Sequence, residues 1–313
     1  AGTNTAALSF GGQIPNPEVT EEFNTGVAVG AWLTGGNLNT ARSSPAAAGT
    51  QTAALAFGGK LFPPNAATAI TEQYNGTAWT EVNDLQTARQ QLAGAGTSTA
   101  ALAFGGDVPG FPPTVFAVTE TWNGTNWTEV ADLNTGRTEI SGAGTSTAAL
   151  AFGGAAAPKA LTEKWNGSSW TAVNVLNTGR QALAGVGATN TAALAFGGET
   201  PPNSALTELW NGTNWTEVGD LNTARQKLAG AGISTAALAF GGDGASITTE
   251  TELWNGTAWS QVNVLNTAKR SLGGTGTITA ALAFGGSFIP SNGSLAATEE
   301  WTDPGTIIKT LTT

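Results

Sequence analysis

TAALAFGG, residues 52–59, is the stretch whose reading decides the fold. It recurs seven times along the chain, once with Ser in place of the third Ala, and its Phe falls at Phe10, Phe57, Phe104, Phe152, Phe196, Phe240 and Phe284. The intervals are 47, 47, 48, 44, 44 and 44 residues. A fixed period of this size means stacked supersecondary units, each burying its apolar face against its neighbours. Working outward from one copy, Arg225 to Ala268 reads RQKLAGAGI, then STAALAFGG, a variable loop, TELWNG and TAWSQVNVLNTA. Each piece is strand-like, and Asn255-Gly256 marks a hairpin between the last two. The Gly and Ala of LAGAGI suit an innermost strand crowded around an axis, and the large residues lie on the outer strands.

Four antiparallel strands per repeat of about 40 to 50 residues describe a β-propeller blade. The WD-type repeat needs a Gly-His pair, and the chain has no His. A Gly pair after the second strand, followed by spaced aromatics, resembles the kelch repeat; the pairs are Gly11-Gly12, Gly58-Gly59, Gly105-Gly106, Gly153-Gly154, Gly197-Gly198, Gly241-Gly242 and Gly285-Gly286. The richness in Ala, Thr and Gly is similar to kelch-like proteins of bacteria and tailed phages. The expectation is therefore an all-β, seven-bladed propeller with four-stranded kelch-like blades, one domain over residues 1–313. Its first inner strand is truncated, and Thr306 to Thr312 serve as the last outer strand. Six blades plus a capping remnant is the competing count. The absence of Met leads us to expect a processed or trimmed start.

Composition narrows function by exclusion. A formal net charge of −10 and twelve scattered Lys and Arg oppose a nucleic-acid footprint. No stretch reads as a transmembrane helix, so no membrane insertion is expected. The absence of Cys and His removes thiolate nucleophiles, the commonest transition-metal ligands and any Ser-His-Asp triad. No cofactor and no metal are expected. Among kelch-like enzymes, a copper-radical oxidase needs His and Tyr, and the one Tyr here, Tyr74, sits in a packing column. A sugar mutarotase could work with Arg and Glu alone.

All eleven Trp fall in two repeat columns, which reads as blade packing rather than a sugar platform. The six Arg form another column, Arg42, Arg89, Arg137, Arg180, Arg225 and Arg270, with the last shifted by one. Glu72, Glu120, Glu163, Glu208, Glu252 and Glu299 recur in the third strand. These two columns are expected either to pair as a structural lock or to ring the channel mouth and hold an anion or acidic peptide. The Asn-Gly-Thr sequons are explained by turn geometry before glycosylation need be invoked.

The departures from repetition follow the Gly pairs, where the loops have 7, 11, 12, 7, 8, 8 and 11 residues. The long ones hold Phe62, Phe111, Phe116 and Phe288, and Asp107 and Asp243 follow Gly pairs and could face one another across a mouth. Strand alternation puts these loops and the Arg column on one face, taken as the binding face. The function expected is a non-catalytic binding or structural module, extracellular or on a virion surface. Its partner would be a protein, a neighbouring subunit or a surface glycan. A carbohydrate-binding lectin is the alternative, and a mutarotase-like enzyme a more distant one.

Overall fold

The computed structural model describes residues 30–288 and 293–303, together with the backbone of two further strands, Ala7–Phe10 and Thr20–Phe23. Six four-stranded antiparallel sheets form the blades. Their inner strands, for blades one to six in turn, are Ala46–Thr50, Ala93–Thr97, Ser141–Thr145, Ala184–Thr189, Ala229–Ile233 and Gly273–Gly276. Each packs against the next, and the last packs against the first, which closes the circle.

The ring therefore has six blades and not the expected seven. Blade six takes Gly273–Gly276, Ala280–Phe284 and Thr298–Thr302 from the end of the chain and its outer strand, Ala31–Thr34, from the beginning. Trp32 lies opposite Trp301 just as Trp215 lies opposite Trp210 in blade four. The physical reason lies in the edges. Thr298–Thr302 would otherwise present a row of unpaired backbone groups, and Ala31–Thr34 carries the outer-strand pattern that satisfies them. Strands Ala7–Phe10 and Thr20–Phe23 belong to the same first copy but pair with each other in a two-stranded sheet of their own. The outer strand expected at Thr306 to Thr312 lies outside the described residues.

Blade-to-blade packing is uniform around the ring. The Phe of each second strand meets the outer-strand Trp of the next blade: Phe57 with Trp127, Phe104 with Trp170, Phe152 with Trp215 and Phe196 with Trp259, at centroid distances of 4.9 to 5.0 Å. Phe240 with Trp32 and Phe284 with Trp79 complete the set, both at 4.9 Å, across the closure. All eleven indoles are buried. In each outer-strand Trp the N–H donates to a Thr hydroxyl in the preceding blade, as in Trp127 to Thr71 at 3.0 Å. The indoles thus satisfy their one donor while excluding water.

The inner strands need small residues. A Cβ on Gly94 would lie 2.6 Å from the Ala47 carbonyl oxygen and 2.6 Å from the Phe57 ring, so the alternation of Ala and Gly sets how closely blades approach. The axis is a narrow channel walled by these strands, enclosing about 140 Å³. The Asn-Gly hairpins at the blade rims close with four residues rather than two: Tyr74 opposes Trp79, and the Asn75 side chain accepts from the backbone N–H of Thr77 and Ala78 at 3.0 and 2.9 Å.

Candidate binding face around the channel mouth

Each chain segment entering a blade crosses over that blade before descending into the inner strand, and a charged pair fastens it there. Arg42 pairs with Glu72 and Arg225 with Glu252; Arg89 lies 3.1 Å from Glu120, Arg137 3.0 Å from Glu163 and Arg180 2.9 Å from Glu208. All five Arg side chains are fully buried. Burial pulls the guanidinium pKa of Arg42, Arg89, Arg137 and Arg180 below the ordinary value, and the paired carboxylates pull it back up.

The lock has a third partner that the sequence alone does not disclose. The Asn of the LNT segment, Asn177 for example, donates its backbone N–H and its amide to Glu208 at 2.7 and 2.9 Å, and the same amide reaches the Trp215 carbonyl at 3.0 Å. Asn39, Asn134 and Asn222 repeat the arrangement, and Gln86 substitutes in blade two. The regular LNT spacing before each Arg is the signal that could have found it.

Arg270 does not belong to this column. In blade six the lock position is held by Lys269, fully buried and 2.9 Å from Glu299, and Arg270, one residue on, pairs with Asp243 of blade five. The shift by one residue seen in the sequence is thus a change of partner: the side chains of a strand-like segment alternate in direction. Asp243 is held at the seam between blades five and six. Asp107, buried, bridges Gln90 through the backbone within blade two. Burial raises its carboxyl above the ordinary range. Tyr74 is buried with its hydroxyl donating to Glu300, and burial with that bond raises its pKa to about 12.

Two residues past each lock the chain turns through a left-handed conformation. Ser44, Gln91, Glu139, Ala182, Lys227 and Ser271 have φ between 52 and 55°. Such a conformation costs a non-Gly residue about 1–3 kcal/mol. What compensates is a belt of backbone hydrogen bonds around the mouth. Ser44 donates to Ser271 at 2.7 Å, Gln91 to Ser44 at 3.3 Å, Ala182 to Glu139 at 3.0 Å, Lys227 to Ala182 at 2.8 Å and Ser271 to Lys227 at 2.8 Å. At the remaining seam the link runs through side chains: the Gln91 amide donates to Glu139 at 3.1 Å, and Thr138 donates to the Gln91 amide oxygen at 3.0 Å. Burial raises the Glu139 carboxyl above its ordinary range. Below the belt, Pro45, Leu92, Ile140, Leu183, Leu228 and Leu272 narrow the channel.

The long loops stand around this mouth. Lys60–Leu61 pairs with Ala66–Ala67 and Asp107–Val108 with Thr114–Val115, each a short hairpin raised on its blade. Phe111 is fully exposed, Phe62 and Phe288 are 39% and 38% exposed, and Phe116 is half-buried. A cleft of about 400 Å³ runs between Phe62 and the mouth, lined by Ser43, Lys60, Gln91, Lys227, Arg270 and their neighbours. Among the described residues no group of three or more acidic, His or Cys side chains could hold a metal ion, and no helix is long and apolar enough to cross a membrane.

No protein-family model and no curated protein matches the chain. Among solved structures it is similar to YjhT, with a TM-score of 0.69 over 84% of this chain and 95% of that one, at 12% sequence identity. A likeness at that identity is one of fold, and by it, as by its own six sheets, the chain is a β-propeller.

Proposed function

We propose that the protein is a kelch-like, non-catalytic binding module that engages a glycan or protein partner with the face around the channel mouth. The observation that carries this reading is where the repeats stop repeating. Between the lock residue and the apolar ring, the two intervening positions read Ser43-Ser44, Gln90-Gln91, Thr138-Glu139, Gln181-Ala182, Gln226-Lys227 and Arg270-Ser271, while the strands beneath are nearly identical. Varied side chains on a fixed scaffold, framed by exposed Phe62, Phe111 and Phe288, are how a rigid fold presents a recognition surface. The assignment to an extracellular or virion surface rests on the resemblance of the repeat.

The mutarotase alternative needs an Arg and a Glu open to substrate. Pairing and full burial of the Arg and Glu columns weigh against it. The test is to replace Phe62, Phe111 and Phe288 together by Ser and to compare the variant with the wild type on a glycan array and on intact particles or cells of the source. Binding by the wild type that is lost in a variant of unchanged Tm supports the reading. Binding that survives the change, or none by the wild type, overturns it.

A further inference from the structure

We infer that the cleft beside Phe62 is a site for the acidic head of a saccharide, a sugar carboxylate or sulfate. This rests on the proposed binding face and names what one part of it takes.

The argument starts from how few cations the chain has and where they stand. Of twelve Lys and Arg, six are buried in the locks. Of the other six, three line this one cleft: Lys60 from blade one, Lys227 from the entry to blade five and Arg270 from the entry to blade six. Among the described residues no carboxylate lines it. Among the described residues neither Lys60 nor Lys227 has a carboxylate within salt-bridge distance, and Arg270 is paired with Asp243 at its edge. In a protein of net charge −10, Lys60 and Lys227, neither in an ion pair among the described residues, together with Arg270, shared with Asp243, give the cleft a local excess of positive charge. Across the mouth, Glu139 feels Lys227 as well as Glu199 and Asp107, and Asp107 feels Lys60, so carboxylates border the cleft without entering it.

The remainder of the lining selects for a saccharide. Ser43, Ser44, Ser271 and Asn65 supply hydroxyls and an amide, which can both donate and accept, the complement of sugar hydroxyls. Phe62, 39% exposed, offers an apolar ring face at the rim. A volume of about 400 Å³ falls within the usual range for small-ligand pockets, about 300–1,000 Å³.

Titration calorimetry on the full chain tests this, with a galacturonate disaccharide, a sulfated disaccharide, their neutral parent sugars and an Asp/Glu-rich peptide as probes. One or both acidic saccharides should bind, the two arms telling carboxylate from sulfate. A Lys60→Gln/Lys227→Gln double variant, with Tm unchanged, should bind about tenfold or more weakly. Equal binding of the neutral parents would overturn the acidic head while leaving a glycan-binding face intact. Binding of the peptide alone would overturn the saccharide and leave the face to a protein partner. Failure of every saccharide, or undiminished binding by the double variant, overturns the inference; the Phe62/Phe111/Phe288 variant then decides separately whether the face itself stands.

Discussion

Arg225 and Lys227 are two residues apart in the chain and belong to different parts of the molecule. Arg225 is fully buried, paired with Glu252, and has a counterpart of the same residue type in four other blades. Lys227 stands at the channel mouth, lines a cleft, and its counterparts are Ser, Gln, Glu, Ala and Ser. The difference teaches what the repetition is for. Where a side chain is enclosed by its own blade, one solution serves in every copy. Where the belt at the mouth holds the backbone, as at five of its six seams, the side chain is free to differ.

The sharpest way to break the comparison is at the packed layer, where the six blades are supposed to be equivalent. Trp32→Ala and Trp215→Ala should each cost about 3–5 kcal/mol in chemical denaturation, and by similar amounts, because Trp32 fills in blade six the place Trp215 fills in blade four. If Trp32→Ala costs much less, Ala31–Thr34 does not close the ring. A smaller loss follows from the lock's third member: Asn177→Ala removes the amide that Glu208 and the Trp215 carbonyl share, leaving Glu208 its Arg180 and backbone donors, and should cost about 1–3 kcal/mol.

A subtler effect separates mouth from lock by pH. The carboxyls of Asp107 and Glu139 are held above their ordinary 3.8 and 4.5 by burial. Between those values and the raised ones the folded chain keeps protons that the unfolded chain releases, so these groups make stability fall as pH rises through that window. The Asp107→Asn/Glu139→Gln variant, followed by denaturation from acid to neutral pH, should show a flatter profile than the wild type. The smallest effect is expected at the rim: Phe111→Ser, at a fully exposed site, should leave stability within about 0.5 kcal/mol.

Much of the fold is legible in the sequence, because the TAALAFGG period and the Gly, Trp and Phe columns are consequences of packing, and packing leaves a periodic trace. The blade count is not legible from that motif, since the copy at Phe10 carries it without contributing a second strand to any of the six blades. The inner strands and the outer-strand Trp, six of each, are the better counters: a blade needs both an axis strand and an edge strand. The loops at Phe62, Phe111 and Phe288 mark the proposed binding face in the sequence. Its floor leaves no such mark, because Lys60 and Lys227 are ordinary residues in sequence and meet only when the circle closes. Arg270 reads as a member of the lock for a related reason: a one-residue shift keeps the residue type and changes the side of the strand.

The division between scaffold and mouth is tested most directly by measuring the unfolding free energies of Arg225→Ala and Lys227→Ala side by side. The first leaves the Glu252 carboxylate buried without its cation and should cost about 3–5 kcal/mol. The second gives position 227 the residue that already occupies the same conformation at Ala182, φ 53°, and should stay within about 0.5 kcal/mol. Equal losses from the two, or a larger one at Lys227, would contradict the account.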